Sequence, residues 1–193
     1  MIERVDHAHG ARTDESELVE RARGGDVTAF EELVRGYQRL ATRAAYVITR
    51  DRADAEEAAQ DGFVAAFRAL GSFRRGAPFR PWLLRIVVNE AKDRRRSAAR
   101  HRAIAERAVA LDLPEKTGAT SDHAVLDAER RNLLLAALDR LSSKHRDVVT
   151  CRYLLELSEE ETASMLALRP GTVKSRLSRA LAALEAQLEG VLS

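Results

Sequence analysis

Apolar residues recur at positions 30, 33, 34, 37, 40, 41, 44, 45 and 48, and this stripe constrains the fold more than any other feature of the chain. Steps of three and four put these side chains on one face of an α-helix, where a strand would need strict alternation. A helix with one long apolar face has to lay it against others, so the stripe also calls for a bundle. The flanking segments supply the partners. A first helix starting near Thr13 or Asp14 turns Leu18, Val19 and Ala22 inward, and Gly24-Gly25-Asp26 ends it while Asp26 caps the next. Asp54 with Glu57 three residues on reads as a capping-box start for a third helix, with Ala55, Ala59, Phe63, Ala66, Phe67 and Leu70 inward. Gly71, Gly76 and Pro78 mark an irregular loop. A fourth helix then runs from about Pro78 to about Arg96 on Phe79, Trp82, Leu83, Ile86 and Val87. Pro78 and Pro81 fit there because first-turn amides have no intrahelical partner.

After Arg102 the periodicity fades, and 101–121, with Pro114 and Gly118, reads as a flexible linker. Helical patterning resumes with Leu126, Leu133, Leu134, Ala137, Leu138 and Leu141, and Ser142 caps a helix carrying Val148, Val149 and Leu155. The expected architecture is all-α: two small helical domains, 12–100 and 122–191, with 1–11 a disordered start. Aromatics at 5% agree, being too few for a sheet protein. The longest apolar run, Leu133–Leu138, is far short of a bilayer span, and the N-terminus lacks a signal peptide's apolar stretch, which points to the cytoplasm. One cysteine, Cys151, excludes an internal disulfide and any cysteine-cluster zinc site, and its apolar helical setting makes it a core residue.

Net charge is only +2, but the charges are segregated. Residues 68–102 hold eleven basic side chains against two acids, whereas 51–61 hold five acids against one base. Surfaces so different suit different partners. In the fourth helix and its loop, Phe73, Phe79 and Trp82 alternate with Arg74, Arg75, Arg80 and Arg85, a mixture that can stack unpaired bases and neutralise phosphates. Phe79 and Trp82 are also natural core residues.

The sharpest local motif lies near the C-terminus. Ser158 and Glu161 form a capping box, a helix of about eight residues follows with Ala163 and Leu166 inward, and the turn Ala167-Leu168-Arg169 leads to Pro170 at the first position of another helix. That helix turns Val173, Leu177, Ala180, Leu181, Leu184 and Leu188 inward. Its outer face carries Thr172, Ser175, Arg176 and Arg179, flanked by Lys174, with no acid. This is the pattern of a helix-turn-helix whose second helix enters the major groove.

Three stretches together resemble the extracytoplasmic-function (ECF) subfamily of the sigma-70 family of bacterial RNA polymerase sigma factors. Asp54 through Phe67 is similar to their polymerase-clamp helix. Phe79, Trp82, Leu83, Ile86, Asn89, Asp93 and Arg94 are similar to their melting and −10-reading segment. Leu157 through Ala163 with Gly171 through Leu177 is similar to their −35-reading helix-turn-helix.

The resemblance implies sigma domain 2 at 12–100 and sigma domain 4 at 122–191. It implies a subunit that binds core RNA polymerase, through the β′ clamp and β subunits, and directs it to promoter DNA. It also implies an anti-sigma factor as a further partner, residence in the cytoplasm with the nucleoid, no cofactor and no catalytic site of its own. The core-binding residues it implies are Asp54, Glu56, Glu57, Gln60, Asp61, Phe63 and Val64. For the −10 element they are Phe73, Arg74, Arg75, Arg80, Trp82, Arg85, Asn89, Lys92, Arg94, Arg95 and Arg96. For the −35 element they are Arg169, Thr172, Lys174, Ser175, Arg176 and Arg179. Three positions depart from the family's pattern. Gly62 weakens a helix by about 1 kcal/mol relative to Ala, Ala167 would be strained at a positive φ, and Arg169 replaces a small capping residue. The rival reading is a stand-alone helix-turn-helix regulator, which predicts tight promoter binding without polymerase. An enzyme finds little support: there is no His-Glu-x-x-His, phosphate-cradling Gly loop or Gly-x-Ser-x-Gly, and His7, His9, His101, His123 and His145 are scattered.

Overall fold

A computed structural model describes residues 15–108 and 136–192, and every regular element among them is helical. By mutual contact the chain forms two compact units, one ending at Arg95 and the other starting at Arg96. No described helix is long and apolar enough to cross a membrane.

In the first unit, α1 covers residues 15–23 and α2 is Val27–Thr49. Gly25 takes a φ of 96° between them, which only glycine adopts without strain. Asp26 then caps α2, accepting the Ala29 amide at 3.1 Å and the Arg21 guanidinium at 2.8 Å. The Ala29 amide first, then Arg21, hold its carboxyl below the usual carboxylate range. The founding stripe is buried as its spacing requires: Phe30, Leu33, Ala41 and Ala45 lie in the core, with Val34, Tyr37 and Ile48 packed against it.

α2 closes at Arg50, whose left-handed backbone (φ 62°) lets its amide donate to the Tyr46 carbonyl at 3.0 Å. The chain therefore reverses at once. Asp51, in extended conformation, accepts the Asp54 amide at 3.0 Å and caps α3 (Arg52–Ala69), three residues before the expected cap at Asp54. Ala55, Ala59, Phe63, Ala66 and Leu70 face inward as expected. Phe67 does not. It is 43% exposed, its ring centroid 5.0 Å from that of Phe30, on the rim of a shallow groove of about 400 Å³ lined by Val27, Phe30, Phe63, Val64, Phe67 and Arg68.

Leu70–Ser72 makes a 3₁₀ turn, and α4 follows as Phe79–Ala108. Phe79, Leu83, Val87 and Ala91 form its buried stripe, the larger ones contributing about 1.5–3 kcal/mol each. Gly62 sits where α3 and α4 come into close contact. A Cβ there would sit 2.7 Å from Val87 Cγ2 and 3.0 Å from Val87 Cα. α4 also outruns its expected end near Arg96, because residues 97–108 are rich in Ala and contain neither Pro nor Gly. The first part of the expected linker, 101–108, is thus helical. The remainder and the 1–11 segment lie outside the described residues.

The second unit contains α5 (residues 136–140), α6 (Ser143–Val149), a π turn at Thr150–Leu154, α7 (Glu159–Leu166) and α8 (Pro170–Leu192). Ala137, Leu138 and Leu141 are buried as predicted, while Leu126, Leu133 and Leu134 fall outside the described residues. Ser142 caps α6 through the His145 amide. The helix expected to carry on through Leu155 does not. Its ladder widens, the Leu155 amide donating to the Thr150 carbonyl at 2.9 Å, and Glu156 turns left-handed at φ 53°. The detour delivers Leu155 and Leu157 fully buried into the core just before α7. Cys151 is buried, its Sγ 3.7 Å from Met165 Sδ, as the apolar setting predicts.

Candidate nucleic-acid interface

The α7–α8 pair is built as its sequence dictates. The Glu161 amide donates to Ser158 Oγ at 3.1 Å and the Ser158 amide to Glu161 Oε2 at 2.7 Å, so both halves of the capping box are made. α7 ends on Ala167 at φ 53°, the left-handed conformation that strains a non-glycine residue by about 1–2 kcal/mol. Val148, Ala163 and Val173 are buried together, with Leu166, Leu168 and Leu177 packed against them, and this small core fixes the angle at which α8 leaves the turn. Buried beside it is Thr162, whose Oγ1 finds no hydrogen-bond partner among the described residues.

The outer face of α8 is basic and open. Arg169, Lys174, Ser175 and Arg179 are exposed, and Thr172 and Arg176 half-buried. The Ser175 hydroxyl donates to the Thr172 carbonyl at 3.2 Å, leaving its oxygen free to accept. None of these four cations is ion-paired with a described residue. Leu181, expected inward, is 38% exposed, since the short α7 ends before it could cover that turn of α8. Leu188 lies beyond the described side chains.

α4 presents a second basic surface of different make. Trp82, Arg85, Asn89 and Lys92 follow helical spacing along one side, Arg85 and Asn89 exposed and Trp82 and Lys92 half-buried. Arg74, Arg75, Arg95 and Arg96 are exposed and Arg80 half-buried. Arg75 lies 3.2 Å from Glu20, tying the loop to α1, and Arg95 reaches the Ile48 carbonyl at 3.5 Å. Phe73 requires a correction. It is 4% exposed, edge-on to Phe79 at 5.8 Å and 4.8 Å from Trp82, so its ring is core and offers no stacking surface. Tyr37 completes the cluster, 5.7 Å from Phe79. Arg94 points at α3, its guanidinium forked between Glu57 and, at 2.7 Å, Asp61. The Asp61 hydrogen bond, ahead of that from Glu57, raises its pKa further.

The acidic face of α3 is real. Glu56, Glu57, Gln60 and Asp61 are exposed and Asp54 half-buried, and Glu56 pairs with Arg52 at 2.9 Å. Val64 extends it with an apolar side chain 49% exposed. Phe63, expected on the same surface, is buried instead because it shares the inward stripe with Ala59 and Ala66. The sequence reading missed Phe67 and Val27, whose exposure continues the apolar edge beside Val64. Phe67 was not legible, because its spacing fits the buried stripe. No three of His, Cys, Asp and Glu among the described residues come together as a metal ion would require.

Comparison with known proteins finds similarity along both units. Residues 33–101 match the model for Sigma-70 region 2, and residues 131–184 that for Sigma-70, region 4. The RNA polymerase sigma-H factor of Pseudomonas aeruginosa is 33% identical over 92% of this chain and 95% of its own. The ECF RNA polymerase sigma factor SigM of Mycobacterium tuberculosis is 37% identical over 93% of this chain and 86% of its own. Among solved structures, CnrH in complex with the cytosolic domain of CnrY superposes with a TM-score of 0.70 at 28% identity, covering 92% of this chain and 98% of that one.

Proposed function

Because this chain belongs to the ECF subfamily of the sigma-70 family, binding RNA polymerase and directing it to specific promoters, we propose the following division of labour between its two units. Sigma domain 2, over 12–100, docks the face of α3 that carries Asp54, Glu56, Glu57, Gln60, Asp61 and Val64 on the β′ clamp. The α4 surface of Arg74, Arg75, Arg80, Trp82, Arg85, Asn89, Lys92, Arg95 and Arg96 then engages the −10 element as it opens. Its half-buried tryptophan beside exposed cations suits single-stranded bases. Sigma domain 4, over 122–191, inserts α8 into the −35 major groove. There Arg176 and Arg179 can fork onto guanine, Thr172 and Ser175 reach base edges or phosphate, and Lys174 and Arg169 neutralise the backbone.

The observation that carries this reading is the coexistence, in one chain, of an acid-free helix-turn-helix face with a separate unit that pairs an acidic helix with a basic one. Two weak DNA sites linked through one large partner gain affinity from their linkage, so neither has to bind tightly alone. A stand-alone regulator does not fit a chain whose first unit matches Sigma-70 region 2. The protein works in the cytoplasm, contributes specificity and no catalytic group, and has an anti-sigma factor as a further partner; the similar CnrH is in complex with the cytosolic domain of CnrY.

Run-off transcription with purified core polymerase on genomic fragments tests the proposal. Discrete transcripts are expected only when the chain is added, and free chain is expected to bind the same fragments poorly. Tight promoter binding without polymerase, with no initiation on any template, would overturn it.

A further inference from the structure

The cluster of Glu57, Asp61 and Arg94 assigns a role that neither surface explains. Glu57 and Asp61 stand four residues apart on α3, where like charges repel. Arg94 sits between them, one nitrogen on Glu57 Oε2 and another on Asp61 Oδ2. Its side chain is 28% exposed, against 60% and 57% for the two acids, so the cation is the inner member of the cluster and the carboxylates the outer ones. The bonds use one oxygen of each acid and leave Glu57 Oε1 and Asp61 Oδ1 unengaged by Arg94.

Helical spacing sets this direction. Arg94 lies seven residues after Val87 and three after Ala91, and so continues the stripe that α4 buries against α3. Arg85 is nine residues away, about half a revolution round the helix, on the opposite side of α4. Gly62, which allows α3 and α4 to close to van der Waals contact at Val87, brings the guanidinium within reach of the acids.

The geometry points to Arg94 as a positioning residue of the polymerase-docking face, one that holds Glu57 and Asp61 in fixed orientation and makes no promoter contact. A planar fork is suited to this, since it orients two carboxylates at once where a lysine would act as a point charge. Carboxylates held in place before docking lose less side-chain freedom when they meet a partner's cations. The inference rests on the docking reading above.

The test uses the full chain with Arg94→Gln, with Glu57→Gln plus Asp61→Asn, and with all three changes. Affinity for purified core polymerase is measured by competition, and promoter binding by each reconstituted holoenzyme is measured against salt. Arg94→Gln is expected to weaken core binding roughly fivefold in the parent and less than twofold when the acids are already neutral. The slope of promoter affinity with salt is expected to stay unchanged, because Arg94 neutralises no phosphate. A slope shallower by about one would identify Arg94 as a DNA contact and overturn the inference. So would weakened binding on loss of the acids with none on loss of Arg94, which leaves the docking reading standing. If the acid double variant binds core as tightly as the parent, the docking reading falls and this inference with it.

Discussion

The basic surfaces of α4 and α8 differ in what their cations do inside the protein. On α8 the four cations Arg169, Lys174, Arg176 and Arg179 enter no ion pair with described residues, and the helix packs from behind through Val173 and Leu177. Around α4, cations also hold the fold: Arg94 joins α4 to α3, Arg75 joins the loop to α1, and Arg95 touches the end of α2. A surface whose charges are free can be read as a recognition surface from its sequence. Where charges serve both architecture and binding, sequence shows only that they are present. The difference also predicts that damage will appear in different measurements, function alone on α8 and function with stability around α4.

The largest effect is expected on α8. Lys174→Ala with Arg176→Ala removes one phosphate contact and one base contact, the latter alone worth about 1–3 kcal/mol, so −35-dependent run-off transcription should fall at least about tenfold with core affinity and thermal stability unchanged. A matching loss of stability would show that α8 cations are structural after all. Next is Gly62→Ala. Helix propensity alone predicts a gain of about 1 kcal/mol, whereas the contact with Val87 predicts a net loss of about 2 kcal/mol from overpacking, read as a lower thermal midpoint. A stabilised variant would mean that α3 and α4 part easily.

Thr162→Val should act in the opposite direction. It replaces a buried hydroxyl that has no partner among the described residues by a methyl of the same shape, and denaturant unfolding should show the chain stabilised by about 1 kcal/mol. The smallest effect concerns Asp26. Its folded-state pKa is depressed, so the ionised carboxylate contributes stability above the unfolded value near 4, and that contribution disappears as pH falls through the folded value. Asp26→Asn keeps a good cap but removes the titration. Parent and variant should therefore differ in denaturant midpoint at pH 7 and converge only as pH falls below the depressed folded value.

Much of the fold was legible because helical burial is a local rule repeated. The stripe from Phe30 to Ile48, the cap at Asp26, the glycine turn before it and the capping box at Ser158 all form as read, each depending on residues within one or two turns. The failures share a cause as well. Phe73 and Phe67 are both aromatic, yet one is buried and the other half-exposed, because that depends on which helix happens to lie opposite. The π turn at Thr150–Leu154 follows from where Leu155 and Leu157 must go, which no local pattern announces.

The order of charges and apolar residues was enough to establish an all-helical architecture, an acidic helix, a basic helix and a helix-turn-helix with its cap and turn. Periodicity and capping are short-range effects, and they are written in neighbouring residues. The pairing of Arg94 with acids more than thirty residues earlier, and the need for glycine at position 62, came only from the way α3 and α4 pack. Those depend on distances between helices, which are set by the summed fit of many side chains and carried by no single segment.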